Sequence, residues 1–371
     1  MSKKYQRKVV NMYELTFKKG RVSRILKREP GITFFEIDLP EEGLYQGVNY
    51  DNLTGEVETG DEVIINTTAM ELELGSGGYH FLIFNLKYMH TGKMMGQENG
   101  HIMKLRYTPY QIRTACLEEE GSLFHDELKG FNNLGGLPVI IIPLHSLLAP
   151  LVITFKELAP TARVLYIMTE GGCLPLELSN TVRDLKAKGL IDWTITVGHS
   201  FGGDLEAVNI FTGLLAANKK ENRGLIVAGM GPGIVGTATK FGHSGVENYF
   251  TYHAIRTLKG KSLLVPRISL ADKRSRHYGI SHHFLTLVND MITEPVELVF
   301  PRHERILKQL KEYKIEERHL VSIYNPEDVM GILEKSRYSF HSMGRSLKDD
   351  PLFFATAGLA AYRLIELLKY N

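Results

Sequence analysis

At 371 residues the chain is long for a single hydrophobic core, and two domains are expected. Its 43% apolar and 23% charged residues are those of an ordinary soluble globular protein. A formal net charge of +2 argues against a polyanion-binding surface spread over the whole molecule, and two cysteines, Cys116 and Cys173, exclude a disulfide framework or a CxxC metal or redox pair.

Charge is unevenly placed from the start. Lys3, Lys4, Arg7, Lys8, Lys18, Lys19, Arg21, Arg24, Lys27 and Arg28 face the single acid Glu14, and the stretch from Glu29 to Glu62 is acidic. This basic arm reads as a solvated, partly frayed terminus. Nucleic-acid contact through it stays open, although no aromatic stacking motif accompanies it. No apolar segment follows the basic residues, so no signal peptide is expected. With the sparse cysteines, that favours a reducing, cytoplasmic setting.

From about Tyr13 to Leu86, GRVSRILKRE, ITFFEIDL, LYQGVNY, GEVETGDEVIINTT and GGYHFLIFNL follow one another between Pro, Gly and Asp turns. Short, evenly spaced strands of this kind predict a small antiparallel β-barrel. TGEVETGDEV reads as a hairpin with Gly60-Asp61 at its tip. The domain divisions are 1–95 for the barrel with its basic arm, 96–135 for a connecting region, and 136–371 for the rest. The connecting region holds GHIMKLRYTPYQIR, the acidic LEEEGSLFHDEL and the loop KGFNNLGG.

Beyond it the period changes. PVIIIP, ARVLYIM, WTITV, GLIVA, KSLLVP, PVELVF and HLVSIY alternate with helical segments such as NTVRDLKAKGL, RILKQLKEY and PEDVMGILEKS. Strands apolar on both faces, alternating with amphipathic helices, predict an α/β, Rossmann-like, doubly wound parallel sheet. The apolar run Leu352–Leu368, broken by Arg363 and Glu366, reads as a docking helix and not as a membrane span.

Two strand-end turns carry the chemistry. GHSFGGD follows WTITV, and LEAVNIFTGLLAA reads as the helix leaving it. GMGPGIVG follows GLIVA. Such turns leave backbone N–H groups beyond a strand's carboxyl end, where parallel sheets place ligands. Gly198 to Gly202 also fits a G-x-S-x-G nucleophile elbow, and Ser200, Asp272 and His303 stand in the order of an α/β-hydrolase triad. Against that reading, Asp204 and Glu206 would set two carboxylates beside the nucleophile. Ser200 is therefore expected to lack a histidine partner, with Asp272 and His303 elsewhere. Gly231, Gly233 and Gly236 form a G-x-G-x-x-G, weakened by Pro232 and by the lack of an acid at the end of the next strand.

RISLADKRSRHYGISHH gathers Arg267, Lys273, Arg274, Arg276, His277, His282 and His283, a donor density suited to phosphate or carboxylate. His282 and His283 are adjacent and cannot share one helical face. A metal site there would need His199, Asp204 or His243 as partners, and none is assigned.

Several stretches together, GEVETGDEVIINTTAMELELGSGGYHF, GHIMKLRYTPYQ, VGHSFGGDLEAVN, MGPGIVGTATKFGHSG and RHYGISHH, resemble a bacterial family of two-domain proteins that carries a domain-of-unknown-function label. The resemblance spans nearly the whole chain. It implies a small β-barrel joined to a Rossmann-like domain, and no activity. It also implies that Asp204, Glu206 and Asn209 belong to the family pattern, whereas the position of Ser200 is often alanine.

The expectation is a crevice along the carboxyl edge of the sheet that binds, and if catalytic turns over, a small phosphorylated or nucleotide-like anion. Gly202, Gly203, Gly231, Gly233 and Gly236 would offer backbone amides, and Arg267, Arg276, His277 and His282 positive charge. Asp204, Glu206 and His199 would be the candidates for proton transfer or ribose contact. The two glycine turns are expected to be spatial neighbours. A serine hydrolase is the alternative, and a non-catalytic RNA- or protein-binding module a third class. No cofactor is identified, no membrane partner is expected, and a homo-oligomer stays open.

Overall fold

The computed structural model describes residues 14–75, 77–89, 100–220 and 224–369. The chain divides into two compact units, Met1–Gly96 and Gln97–Asn371.

In the first unit β1 (Phe17–Glu29), β2 (Ile32–Leu39), β3 (Gly43–Tyr50), β4 (Glu62–Asn66) and β5 (His80–Asn85) close into a barrel in the order β1-β2-β3-β5-β4. The long β1 makes closure possible. Register shifts between Val22 and Arg24 and between Ile25 and Lys27 bend it, so that it pairs with β2 and with β4. Val22, Phe35, Ile37, Leu39, Val63, Ile65 and Leu82 fill the interior. Gly47 leaves room for Phe35, because a Cβ there would lie 2.4 Å from its ring.

Two expectations change here. Residues 17–28 are not a frayed arm but most of β1, and residues 1–13 lie outside the described residues. Three cations of β1 pair with barrel acids, Lys18 with Glu42 and Glu71, Lys19 with Glu62, and Arg24 with Glu36, while Arg21 and Arg28 donate to the carbonyls of Gly60 and Val57. Nor is TGEVETGDEV a hairpin. Only Glu62–Asn66 is strand, and the Gly60 N–H donates to Val22 O, which makes Gly60-Asp61 a turn held against β1.

The second unit opens with an antiparallel pair, β6 (Ile102–Lys104) and β7 (Ile112–Thr114). Its main sheet contains β8 (Pro138–Ile141), β9 (Val164–Thr169), β10 (Trp193–Val197), β11 (Leu205–Ala207), β12 (Leu225–Met230) and β13 (Lys261–Leu264). After a small ribbon of β14 (Ile268–Ser269) and β15 (Gly279–Ile280) it continues with β16 (Glu297–Pro301) and β17 (Leu320–Tyr324). All eight main strands are parallel, in the order β11-β10-β9-β12-β8-β13-β16-β17.

Burial on both faces explains the unbroken apolar runs of the central strands β8, β9 and β12. In β9, Leu165 and Ile167 join the core under helices Ile210–Lys220, Glu247–Thr257, His282–Thr286 and Glu304–Glu312. Val164, Tyr166 and Met168 join the core under Leu148–Leu158, Asn180–Ala187, Glu327–Lys335 and Pro351–Lys369. The last helix is long and apolar enough to cross a membrane by length and composition alone, but 67% of its most apolar window is buried inside the unit.

The chain leaves β8 over one face and β12 over the other, and these strands are neighbours. Their carboxyl ends therefore form the topological switch point, where doubly wound sheets open a crevice. One element differs from expectation. LEAVNIF does not begin a helix: Leu205–Ala207 is an edge strand paired with Ile195–Val197. The helix starts at Ile210, where Asn209 Oδ1 accepts the N–H groups of Phe211 and Thr212.

Candidate functional site

The first glycine turn is a packed junction. Gly198 and Gly202 have φ of 65° and 90°, and added Cβ atoms would lie 2.4 and 2.3 Å from the carboxylates of Glu170 and Glu177. A Cβ on Gly203 would lie 2.9 Å from Thr196. Ser200 is wholly buried, and its hydroxyl donates to Thr169 O at 3.0 Å. The His199 N–H donates to Glu170 at 2.6 Å, while its Nδ1 accepts from the Leu105 N–H at 3.0 Å.

The two acids of this turn are occupied. Asp204 accepts from Lys186 and from the N–H and hydroxyl of Thr194, and these donors hold its pKa below the usual range despite partial burial. Glu206 accepts from Lys104 Nζ at 2.6 Å, Thr196 Oγ1 at 2.7 Å and the Gly202 N–H at 2.8 Å. Burial still pushes its carboxyl up. Lys104, within GHIMKLRYTPYQ but not among the expected site residues, is 1% exposed at its side chain.

The second glycine turn is not beside the first, contrary to expectation. β9 runs between β10 and β12, so the loop after β9 separates the turns. Within that loop the Phe201 N–H reaches Leu174 O, and the Cys173 N–H reaches Pro232 O at 2.7 Å. Gly231 is pressed on the same loop, since a Cβ would lie 2.4 Å from Cys173 O. Gly233, with φ of 102°, is exposed. Gly236 bridges to His243, and a Cβ on it would meet the His283 ring at 3.1 Å.

Around Gly236 gathers the density of basic and imidazole groups. Arg267, 4% exposed, donates to Asp272 at 2.8 Å and to Ser281 Oγ at 3.2 Å, and lies 2.5 Å from His277 Nδ1. Burial lowers its pKa to about 10. Asp272 also binds Arg274 at 2.8 Å, and its carboxyl is held far below the usual range. Arg276 is exposed, and its charge helps to depress His282.

Four imidazoles converge. His243 stacks on His283 at 3.8 Å between ring centroids; His277 lies 4.9 Å from both His282 and His283, which are 4.3 Å apart. Burial is the first cause of lowered pKa at each, joined by neighbouring cations or imidazoles, and His277 falls to about 3. All four are neutral near pH 7. A cleft beside them is lined by Pro143, Leu144, Ile234, Asn248, Arg267 and His283. Of the expected site residues, the fold thus brings together Arg267, Arg276, His277, His282 and Gly236, with His243 and His283. His199, Gly202, Gly203, Asp204 and Glu206 belong to the other turn.

At the switch point itself, His145 is buried beyond β8. Its Nε2 lies 2.6 Å from Ser179 Oγ and its Nδ1 3.2 Å from the Tyr166 hydroxyl, which donates to Gly229 O at 3.1 Å. Burial draws its pKa down to about 4. His303 instead caps helix Glu304–Glu312, its Nδ1 accepting from the Arg305 N–H. Among the described residues, no hydrogen bond or ion pair joins any two of Ser200, Asp272 and His303.

The chain belongs to a family described as "Protein of unknown function (DUF3866)", whose model matches residues 46–361. No curated protein and no solved structure matches it.

Proposed function

We propose that this member of the family binds a small anion, phosphorylated or nucleotide-like, in the crevice at the carboxyl edge of its parallel sheet. One observation carries the reading: an excess of positive charge and imidazole donors gathers at the cleft beside Gly236. Arg267, Arg274 and Arg345 share two carboxylates, Asp272 and Asp350, and Arg276 adds a fourth guanidinium whose charge is felt at His282. An oxyanion is the simplest partner for that surplus. Arg276, exposed beside His282, would be the side chain that meets it. Gly233 and Gly236 would offer backbone amides, and Gly231 would shape the turn.

The proposal is of binding. Asp204 and Glu206 are engaged by Lys186 and Lys104, which weakens their claim to proton transfer. The serine-hydrolase alternative would need the Ser200 hydroxyl to leave Thr169 O and reach a histidine. For the binding module on a basic arm, Lys18, Lys19 and Arg24 are already paired with barrel acids, and Lys3, Lys4, Arg7 and Lys8 lie outside the described residues. The low cysteine content favours a reducing compartment such as the cytoplasm. Thermal-shift and calorimetric screening against nucleotides and sugar phosphates, on wild type and Arg276→Ala, tests the reading. If no phosphorylated compound stabilises the wild type, it fails.

A further inference from the structure

We infer that His277, His282 and His283 are the protein ligands of a divalent transition-metal ion, with a coordination position left open towards the cleft. The inference rests on the anion reading only in sharing its crevice. One nitrogen from each of the three rings lies within 4.8 Å of the others. The backbone arranges this from two directions. His277 ends the turn Ser275–His277, and His282 and His283 begin the short helix that Ser281 caps by accepting the His283 N–H. The adjacency of His282 and His283 is no obstacle, because their rings stand at 62° and edge towards the same space.

A second observation points to a missing partner. His282 Nε2 and both ring nitrogens of His243 are buried with no hydrogen-bond partner. His243 is only 5% exposed and lies flat on His283. Buried imidazoles left without a partner are costly, and a metal, with the water or anion it carries, supplies one. His243 would then bond to whatever fills the open position.

His277 is prepared for a ligand's role. Ser281 Oγ lies 2.8 Å from its Nδ1, the kind of contact that orients a ligating imidazole. Loading the ion on Nε2 puts the proton on Nδ1, where Ser281 accepts it; Arg267 Nη1, now 2.5 Å from Nδ1, then has to draw back while its Nη2 stays on Asp272. Three imidazoles without a thiolate suit zinc, cobalt, nickel or copper, not magnesium or calcium. Three protein ligands and an open position are the pattern of a zinc site that takes up water or substrate. Since the ion adds charge to a region already rich in guanidinium, metal and anion should each bind more tightly in the presence of the other.

The test uses the full chain, stripped with a chelator and titrated with cobalt(II) and zinc(II), by visible absorption and calorimetry. One cobalt per chain is expected, with ligand-field bands that zinc abolishes. His282→Gln and His283→Gln should each weaken binding about tenfold or more. The exposed His341→Gln should not. X-ray absorption on the zinc-loaded wild type gives a readout independent of any variant's folding, and a shell of nitrogen and oxygen including imidazoles is expected. No stoichiometric ion, a sulfur shell, or affinity unchanged in both folded variants overturns the inference. Inorganic phosphate separates the two readings. If it stabilises the stripped protein and no ion binds, the anion reading stands alone. If an ion binds and neither phosphate nor any phosphorylated compound stabilises either form, only the metal site stands.

Discussion

Lys104 Nζ and Glu206 Oε2 lie 2.6 Å apart with both side chains buried, and the same ammonium reaches Ser200 O at 2.6 Å and Thr196 O at 3.1 Å. Three donors meet three acceptors, and β6 is pinned to the sheet's edge. Lys104→Met leaves a buried carboxylate without its cation and should cost about 3–5 kcal/mol in denaturant unfolding. Adding Glu206→Gln should recover a sizeable part of that loss. A double variant no more stable than the single one would count against the pair as the cause.

Arg276 and Arg267 should separate binding from stability. Arg276→Ala removes a charge-assisted contact to the anion, and a loss of about 1.5–3 kcal/mol in affinity is expected. Its melting temperature without ligand should stay near wild type. Arg267→Ala strips Asp272 of its buried partner while Arg274 remains, so unfolding should become easier by about 3 kcal/mol, the low end for a broken buried pair. Equal melting temperatures for the two variants would contradict this division.

His145 makes the fold acid-sensitive. Its folded-state pKa of about 4 lies below the 6.5 of a free histidine, so the unfolded chain binds the extra proton first. Its contribution is intact above pH 6.5, is lost as pH falls towards 4, and levels off below that. The shift corresponds to about 3 kcal/mol. Thermal unfolding between pH 7.5 and 4 should show a shallower dependence in His145→Asn than in wild type. An unchanged slope would assign the acid sensitivity to the other buried histidines.

Ser200 should behave as a buried structural hydroxyl. Ser200→Ala is expected to cost about 1 kcal/mol for the lost bond to Thr169 O. Wild type should not react with a fluorophosphonate probe. Labelling that disappears in Ser200→Ala would revive the hydrolase alternative.

Much of this architecture was legible because burial on two faces writes itself into sequence. The central strands of the parallel sheet, Pro138–Ile141, Val164–Thr169 and Leu225–Met230, stand where apolar residues run without alternation. The barrel strands stand where short alternating runs end in turns. What was not legible depends on distant partners. LEAVNIF is helical by local pattern, and only the ladder to Ile195–Val197 makes its first residues a strand. GDEV suggested a hairpin because its turn is real, but the upstream arm packs through Val57 without pairing. Lys104 lies within GHIMKLRYTPYQ but nothing there singles it out, since a lysine's burial depends on acceptors nearly a hundred residues away. The histidines were visible as a density, yet whether His243 meets His283 is decided by the hairpin at Gly236. The two glycine turns were expected together because successive strands usually adjoin. The insertion of β12 beside β9 rather than β10 is a matter of topology.

That insertion should also order the events of folding. β8 and β9 follow one another along the chain but exchange no ladder, because β12 occupies the gap between them. A growing chain that has not reached Leu225 can form β9, β10 and β11 as one ribbon and must leave β8 outside it. The halves are then expected to join only when a strand from far downstream enters between them, a long-range closure of the kind that slows assembly. Until then Ile140 and Ile167, on either side of the slot, have no strand between them. A fragment ending before β12 should therefore be a sticky, unfinished sheet, and the arrival of Leu225–Met230 the step that commits the second unit to its native form.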